Sequence, residues 1–383
     1  MKRLNVLFMT PWYPTKELPV AGVFVREHAK AVDLYDKVVV LHTPEHTRIP
    51  LLLNWILDAE TDESLTEGIP AYHLYYKRNT PRPVSYTNRI WSHVQTLKNL
   101  IAQGFRPDII HAHVYRAGAM GIILGKLFKI PVVITEHYTA FPRRQLSKYS
   151  ILEARFAFRF AKCVMPVSYS LMQSIRDYGM KANFQIVPCV VNTDIFYPRE
   201  EDYKDSNTVS ILFVGILSPA KGIPFLFEAL AKLTIEWTLW SLDIIGDGPQ
   251  KEDYIKLAHE LGISQKIRWH GYKAKSEVAE IMRQADLLVL PSLWENLPSV
   301  IAEALTTGLP VVATNVGGVP EMIDTTNGRL VSPSDSEALS RAILDVGTHI
   351  KDFDRKKLIQ TAQRYTYQNV GLAYHKIYEV CLI

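Results

Sequence analysis

Cysteine is scarce in this 383-residue chain, and its scarcity narrows the classes of protein that the sequence can encode. The three cysteines, Cys163, Cys189 and Cys381, lie far apart and form no CxxC pair. A disulfide framework and a cysteine-based zinc site are therefore not expected, and the composition is typical of a reducing compartment.

The sequence also lacks long apolar runs, low-complexity tracts and long glycine or serine linkers. No stretch reaches the roughly 18 apolar residues that a membrane-spanning helix needs. The N-terminal MKRLNVLFMT is basic and then apolar, but it is short and has no small-residue cleavage site, so we expect a first strand rather than a signal peptide. Hydrophobic residues make up 48% and charged residues 21%, as in a globular protein.

Charge is unevenly distributed along the chain. Residues 1–200 contain 25 Lys+Arg and 16 Asp+Glu, whereas residues 201–383 contain 18 and 23. The basic first half is compatible with an anionic partner, such as a lipid surface, a phosphorylated acceptor or a nucleic acid, and equally with ordinary surface charge. We expect no nucleic acid, because the sequence has no base-stacking motif or known binding module.

Short apolar runs alternate with amphipathic stretches in two series, which predicts two doubly wound α/β domains. The polar stretch Pro198–Thr208 separates them. Helical patterns include Val25–Leu34 and Ile90–Gln103. The predicted strands are Leu4–Met9, Val38–Leu41, Asp108–His111 and Val132–Thr135, then Val209–Val214, Leu239–Ile245, Ile267–His270, Leu287–Leu290 and Val311–Thr314.

The loops that follow these strands are the expected functional segments, because ligands of such sheets bind outside the carboxyl ends of the strands. Two facing domains would enclose a cleft that these loops line. The loops are Thr10–Gly22, His111–Tyr115, Glu136–Phe141, Gly215–Gly222, Gly246–Pro249 and Pro291–Pro298.

Two glutamates, Glu295 and Glu303, lie eight residues apart in an otherwise apolar or small stretch. Ser299–Thr307 is the predicted helix, closed by Gly308, and its N-terminus offers unpaired N–H groups and a positive dipole end to an anion. Carboxylates accept hydrogen bonds from hydroxyls, so the arrangement suits a nucleotide-sugar. The alternative is a capping carboxylate and one solvated helix residue.

Three further loops support the interpretation as a nucleotide-sugar site. VGILSPAKG carries Lys221, which can neutralise phosphate, although lysines are common on surfaces. Gly246 and Gly248 in IIGDGP would allow close approach by a base or a ribose, and Gly317 and Gly318 follow another strand. Each glycine pair is also compatible with a simple turn.

Together these motifs resemble the donor half of retaining glycosyltransferases of family 4, which have the GT-B fold. The matching features are the KG loop, the GDGP turn, the ADLLVLPS strand, the E-x7-E segment and GLPVVAT…GGVPE. In the first half, AGVFVREHAKAV, PDIIHAHVY, PVVITEHYT and VPCVVNTDIFYP are also similar to family segments, so the resemblance covers nearly the whole chain.

The resemblance implies an architecture of two Rossmann-like domains facing across a cleft. Residues 1–197 would form the acceptor-side domain, with 365–383 crossing back onto it as a final helix. Residues 198–364 would form the nucleotide-sugar donor domain.

The resemblance also implies roles for individual residues. Glu303 would hold the ribose, Glu295 would contact the donor sugar, and Lys221 would neutralise the departing diphosphate. His137 would lie by the reacting carbon and, with Glu295, forms the expected catalytic pair. The other implied donor-binding residues are Gly22, Gly246, Gly248, Asn296, Leu297, Ser299 and Val300.

The histidines have competing interpretations. His111 and His113 lie on one face of a strand and could begin a metal site, but no third ligand stands at useful spacing. We therefore expect no metal and no other cofactor, with one of these histidines lining the cleft and the other packed. His113, Tyr138, Arg143 and Arg144 are the candidate acceptor residues.

Two segments could contact an anionic membrane. Ile151–Cys163 combines Arg155, Arg159 and Lys162 with phenylalanines, and Pro50–Leu57 is apolar and flanked by Arg48. The alternative for the first segment is a core helix with a solvated basic face.

The sequence thus predicts a metal-independent retaining transferase of the hexosyltransferase type. It would move a sugar from a nucleoside-diphosphate-sugar, expected to be a UDP-sugar, to a saccharide or lipid-linked acceptor in cell-surface polysaccharide or glycolipid synthesis, in the cytoplasm or at the inner face of the cell membrane. Rivals are a nucleotide-sugar sensor or inactive subunit, and a GT-B nucleotide-sugar epimerase. Ile216, where the family often has an arginine, supports the sensor.

Overall fold

The chain divides into two compact units, which do not follow the expected boundaries at every point. A computed structural model describes residues 2–44, 55–76, 82–199 and 208–383, without the side chains of residues 82–84. The first unit comprises Met1–Val190 and Tyr367–Ile383, and the second comprises Val191–Thr366. The boundary falls before residue 197 because the Val191 N–H donates to the Tyr365 carbonyl at 2.8 Å, which ties this segment to the second unit.

The helices and strands follow one another in chain order through both units. The first unit begins with β1 (Asn5–Thr10), α1 (Val23–Asp33), β2 (Lys37–His42), β3 (Trp55–Ala59), α2 (Glu63–Thr66), β4 (Ala71–Tyr76), α3 (Arg82–Ala102), β5 (Ile109–His113), α4 (Val114–Phe128), β6 (Val132–Glu136), α5 (Lys148–Phe160), β7 (Cys163–Pro166) and α6 (Tyr169–Asp177). The second contains β8 (Val209–Val214), α7 (Ile223–Glu236), β9 (Trp240–Ile245), α8 (Lys251–Glu260), β10 (Ile267–Gly271), α9 (Lys275–Gln284), β11 (Leu287–Leu290), α10 (Ser299–Thr306), β12 (Val311–Thr314), β13 (Gly328–Val331), α11 (Ser336–Thr348) and α12 (Arg355–Ala362). The last helix, α13 (Tyr367–Leu382), belongs to the first unit and packs against α1.

Each unit is built on one twisted sheet. The first sheet has seven strands in the order β3-β4-β2-β1-β5-β6-β7, and only the β3–β4 pair is antiparallel. The second has six parallel strands in the order β10-β9-β8-β11-β12-β13. The predicted α/β class, with two doubly wound units, is confirmed.

All nine strands predicted from apolar runs are present, with ends shifted by one or two residues. They are easy to recognise because strands of parallel sheets are covered on both faces and are apolar throughout. Four strands were missed, namely β3, β4, β7 and β13. In β3 the side chains are half-buried or exposed, and in β4 polar and apolar residues are mixed, so neither strand has a continuous apolar run.

Two helix predictions need correction. The amphipathic segment Ile151–Cys163 is helical only as far as Phe160, because the chain turns there to begin β7 at Cys163. The helix expected at Ile90–Gln103 already begins at Arg82. Two predicted segments lie partly outside the described residues. They are the apolar segment Pro50–Leu57, together with the neighbouring Arg48, and the linker Pro198–Thr208, most of which is not described.

The strand order identifies the point in each sheet where a ligand is expected. The order reverses between β1 and β5 in the first unit and between β8 and β11 in the second. Loops that leave neighbouring strands in opposite directions at such a point open a crevice at the carboxyl edge. The loops after β1, β5, β8 and β11 are therefore the segments that matter most. Among the described residues, no helix is long and apolar enough to cross a bilayer.

Candidate functional site

In the second unit, Lys221 and Glu295 meet at the carboxyl edge of the sheet. Lys221 ends a short 3-10 turn after β8, and Glu295 lies in the loop after β11. The Lys221 Nζ donates to Glu295 Oε1 at 2.6 Å, and the Ser292 hydroxyl donates to the same oxygen at 2.7 Å. The two predicted donor residues from separate loops thus form one polar cluster, which remains a candidate donor site.

The loop that carries Glu295 is fixed by glycines on two sides. A Cβ at Gly317, where φ is +53°, would lie 1.8 Å from the Glu295 carbonyl oxygen. The Gly318 N–H donates to the Asn296 carbonyl at 2.8 Å. On the other side, Gly222, where φ is +62°, would place a Cβ 2.1 Å from the Pro291 carbonyl oxygen. Only glycine fits at these points, so backbone packing sets the position of Glu295.

The GDGP turn has a similar structural role. A Cβ at Gly246 would lie 1.9 Å from the Gly215 carbonyl oxygen, and one at Gly248 would lie 2.3 Å from that of Leu217. The close approach that these glycines permit is therefore to the loop that leads to Lys221. Donor contacts of Gly246 and Gly248 remain a prediction.

Helix α10 begins beside this cluster. Its N-cap residue, Pro298, makes no side-chain capping hydrogen bond. Its first residue, Ser299, is half-buried and Val300 is buried. Glu303, one turn inside, is only 7% exposed, which makes it a carboxylate held within the protein instead of a solvated helix residue. The helix ends at Thr306, one residue before the predicted Thr307, and Gly308 follows the C-cap with a φ of +75°.

Three further loop residues of the second unit have contrasting environments. Asn296 is buried and Leu297 is half-buried, next to Glu295. Ile216, at the position where the resemblance leads one to expect arginine, is 66% exposed. An exposed isoleucine at this edge has no packing role that would account for it.

In the first unit, four histidines gather at the carboxyl edge. His113 Nδ1 and His137 Nε2 are 3.1 Å apart, and the two rings lie edge to edge, with centroids 5.3 Å apart and an angle of 6° between their planes. His111 stacks on His113 with centroids 4.6 Å apart, and His28 of α1 packs against His137. Both members of the predicted H-x-H pair are fully buried, so His111 and His113 are packed residues, and His137 is the partly accessible one.

Helix α13 completes this cluster with tyrosines. The Tyr374 hydroxyl lies 3.0 Å from His28 Nδ1 and 3.2 Å from the Thr135 hydroxyl. The Tyr378 hydroxyl lies 2.7 Å from His111 Nδ1. The last helix therefore orients the rings that support His137.

Burial keeps these histidines neutral. It lowers the pKa of His28 to about 3, and the pKa values of His113 and His137 fall well below the ordinary range for the same reason. Neighbouring imidazoles add to the effect on His113 and His137, since each disfavours a charge on the other rings. His137 is thus held as a neutral hydrogen-bonding group.

Glu136 is a residue whose importance sequence reasoning missed. Its Oε1 accepts from the N–H groups of His137 and Tyr138 at 3.0 and 2.9 Å, and its Oε2 accepts from the Tyr115 N–H at 2.9 Å. It joins the loop after β6 to the start of α4. Burial raises its pKa to about 7, while these three N–H donors favour the carboxylate and oppose that rise. A charged residue that ends a strand with an apolar run, Val132–Ile134, was the available signal.

The remaining predicted residues of the first unit are placed as follows. Gly22, where φ is +68°, precedes α1 and would place a Cβ 2.4 Å from the Trp12 carbonyl oxygen. The Tyr138 ring packs near Trp12, with centroids 5.8 Å apart. Arg143 and Arg144 are both exposed, and their roles in acceptor binding stay predictions.

The outer face of α5 is basic and apolar, whereas Ala154, Ala157 and Phe158 bury its inner face. Leu152 is 63% exposed, and Arg155 and Arg159 lie on the same exposed side. Within the described ranges, no group of three or more His, Cys, Asp or Glu side chains is placed to hold a metal ion.

Comparison with known proteins agrees with this architecture. A model of the family "Glycosyl transferases group 1" matches residues 198–364, and a model of "Glycosyltransferase Family 4" matches residues 37–195. The chain is 27% identical over 360 residues to the putative teichuronic acid biosynthesis glycosyltransferase TuaC of Bacillus subtilis, covering 89% of this chain and 88% of TuaC.

Solved structures show the same fold. Anabaena Alr3699/HepE in complex with UDP matches with a TM-score of 0.78 and 20% identity, over 98% of this chain and 100% of that chain. HepE in complex with UDP-glucose matches with a TM-score of 0.75 and 21% identity, over 99% of both chains. Two parallel-sheet Rossmann-like units with these neighbours define a GT-B protein. The chain belongs to glycosyltransferase family 4 and is a glycosyltransferase that transfers a sugar from a nucleotide-sugar.

Proposed function

We propose that this enzyme is a retaining, metal-independent glycosyltransferase that uses a UDP-sugar and a saccharide or lipid-linked acceptor. The observation that carries the proposal is the Lys221–Glu295 pair beside the N-terminus of α10, with Glu303 buried one turn inside that helix. The second unit would bind the donor, and the first unit would supply His137 and the acceptor site.

Charge complementarity explains how this site would receive a diphosphate. The first N–H groups of an α-helix have no partners within the helix, and the helix dipole adds positive potential there. Lys221 is only partly exposed and holds a single carboxylate at 2.6 Å. An arriving diphosphate gives Lys221 a second, stronger anionic partner, and Glu295 can then accept hydrogen bonds from sugar hydroxyls.

Glu303 would recognise the ribose of the donor. A buried carboxylate close to a helix N-terminus can accept two hydroxyl hydrogen bonds, which matches the 2′ and 3′ hydroxyls of a ribose. A UDP-sugar is the proposed donor, and the UDP and UDP-glucose complexes of HepE support this choice.

Catalysis would depend chiefly on stabilising the leaving group. Lys221 and the N-terminus of α10 would offset the charge that develops on the departing UDP, in a preorganised site. His137, held neutral, can hydrogen-bond a hydroxyl without adding positive charge near an electron-poor anomeric carbon. Departure and attack on the same face of the sugar would retain the anomeric configuration.

Turnover of a donor panel tests the proposal. The purified chain would be incubated with UDP-, GDP- and ADP-glucose and with the corresponding galactose and N-acetylglucosamine donors, with and without EDTA. We expect nucleotide release from one UDP-sugar that is insensitive to EDTA, and an α-linked product by NMR. Binding without release would favour a sensor, and conversion of the donor sugar without transfer would favour an epimerase.

A role in cell-surface polysaccharide or glycolipid synthesis is part of the proposal, supported by the name of the TuaC relative. The enzyme would then work in the cytoplasm, at the inner face of the cell membrane. The outer face of α5, with Leu152, Arg155 and Arg159, would rest on anionic lipid. Cosedimentation with vesicles of phosphatidylglycerol, reduced in Arg155→Gln/Arg159→Gln and absent with phosphatidylcholine, is expected. Equal recovery with both lipids would contradict it.

A further inference from the structure

A large cavity in the first unit lies outside the predicted site residues. Its volume is about 800 Å³, within the range of pockets that bind small molecules. It is lined by the end of β1 with the following Pro11, and by parts of α3, α4 and α5. Because β1 is at the point where the strand order reverses, this cavity occupies the expected ligand position of the first sheet.

Two arginines line the cavity. Arg89 of α3 donates from Nη2 to the Arg116 carbonyl at 3.2 Å, and its Nε is buried without a hydrogen-bond partner among the described residues. The Arg116 guanidinium of α4 lies 5.7 Å from the centre of the Tyr138 ring. Tyr138 directly follows His137 in the sequence. Buried guanidinium N–H groups favour an anion that can accept their hydrogen bonds.

A carboxylate faces the two arginines from α5. Burial raises the pKa of Glu153, and the positive charges of Arg89 and Arg116 lower it. All three side chains line the same cavity. With two cations and one anion, the cavity has a net positive charge, so an anionic ligand group is favoured over a cationic one.

The other walls suit a sugar. Tyr86 and Tyr149 line the cavity and are 38% and 68% exposed, which makes their rings available for the apolar face of a pyranose. Ser150 belongs to the first turn of α5, whose positive dipole end adds to the arginine charge. Glu153 can accept hydrogen bonds from sugar hydroxyls.

We propose that this cavity binds an acceptor saccharide that carries an anionic group, a carboxylate or a phosphate, held by Arg89 and Arg116. The inference rests on the proposed function, because it names the acceptor class of that transferase. The anionic group lies against the arginines, the ring packs on the tyrosines, and Glu153 orients the hydroxyls.

Matched ligand pairs test the proposal by calorimetry on the full chain saturated with UDP. Octyl glucoside 6-phosphate and octyl glucuronide are each compared with neutral octyl glucoside. We expect at least one anionic ligand to bind about tenfold more tightly or better, and the two arms tell phosphate from carboxylate. Arg116→Gln should reduce that preference to less than about threefold, and Arg176→Gln, on the exposed side of α6, should leave it unchanged.

Glu153→Gln provides a test with the opposite sign. Removing this negative charge should increase the preference for the anionic over the neutral ligand about threefold or more, which loss of structure would not do. Any hydroxyl hydrogen bond that Glu153 makes is lost with both ligands, so the ratio reports the charge alone. The Glu153→Gln variant also tests the proposal if Arg116→Gln does not fold. Equal affinity for charged and neutral ligands in both arms, including no binding by any of them, overturns the proposal. Failure of UDP to bind the wild-type chain would instead overturn the proposed function.

Discussion

The carboxyl edges of the two sheets are built in different ways. In the second unit, glycine loops close on one another's backbones and hold a single Lys221–Glu295 pair beside α10. In the first unit, buried histidines and tyrosines form a hydrogen-bonded cluster that supports His137. One edge is shaped by backbone contacts, and the other by side chains from distant segments.

Under the proposed function, this difference would separate two tasks. N–H groups and one lysine would recognise a diphosphate, for which a rigid backbone scaffold is sufficient. An acceptor hydroxyl would need a neutral, oriented side chain, which the first unit would provide at the cost of burying several imidazoles. The two edges should therefore respond differently to pH, to charge removal and to added methyl groups.

The largest contrast is expected with pH. Burial lowers the pKa of His28, His42 and His93 in the folded chain to about 3. In the unfolded chain the same histidines have the ordinary pKa of about 6.5, so as the pH falls the unfolded state takes up protons before the folded state does. The first unit should lose up to about 1.4 kcal/mol of stability per pH unit for each such histidine below pH 6.5. Glu136 opposes this between about pH 7 and 4.5, because its raised pKa makes the folded state take up a proton first.

Hydrogen exchange of peptides from each unit, corrected for the intrinsic effect of pH, measures this contrast. Between pH 7 and 5, protection should fall in the first unit and persist in the second. A parallel fall in both units would contradict the contrast.

Removing the lysine charge should have the next largest effect. Lys221→Gln should lower donor turnover about 100-fold, or about 2.7 kcal/mol, because the departing diphosphate loses its cation. Lys232→Gln, whose exposed lysine pairs with Glu337, is the matched control and should turn over like the wild type. A decrease of less than threefold in Lys221→Gln would exclude this lysine from leaving-group stabilisation.

An added methyl group should disturb the edge of the second sheet, because backbone contacts shape that edge. Gly317→Ala combines a positive φ with a Cβ 1.8 Å from the Glu295 carbonyl, so it should destabilise the second unit by more than about 2 kcal/mol and weaken UDP binding. Gly262→Ala has a similar φ of +70° and open space, so strain alone should cost about 1 kcal/mol. Equal melting temperatures for the two variants would show that the loop can move away.

The smallest effect is expected at Glu136, which joins the loop after β6 to the start of α4 in the first unit. In Glu136→Gln, the amide NH2 must replace one acceptor oxygen, which leaves at least one of three N–H donors without its partner. This should cost about 1–2 kcal/mol and lower turnover more than UDP affinity, because the His137 loop moves. Chemical denaturation measures the loss of stability in Glu136→Gln, with the exposed Glu63→Gln as the control. An unchanged unfolding midpoint in Glu136→Gln would rule out a structural role for the carboxylate.

Much of the fold could be predicted from the sequence, and the reason is physical. Strands such as β8 and β11 are covered on both faces, so a short apolar run marks them unambiguously. The half-exposed β3 and β4 lack that signal. The loops that carry Lys221 and Glu295 could also be singled out, because glycines and charged residues stand at fixed distances after these strands, and their donor contacts remain a prediction.

The proposed acceptor cavity could not be assembled from the sequence in this way. Arg89, Arg116 and Glu153 come from three helices, and no spacing in the sequence relates them. His111 and His113 attracted attention as a pair, whereas packing buries both and leaves His137 as the partly accessible ring. Tertiary packing decided which side chains reach the edge.

The most direct test of the donor assignment is calorimetric titration of UDP into the wild-type chain and into Glu303→Gln. Glu337→Gln, an exposed glutamate of α11, is the control. We expect UDP to bind the wild type and Glu337→Gln with the same affinity and to bind Glu303→Gln at least tenfold more weakly. Equal affinity for all three, or no binding of UDP, GDP or ADP to the wild type, would contradict the assignment of the second unit as the nucleotide-sugar site.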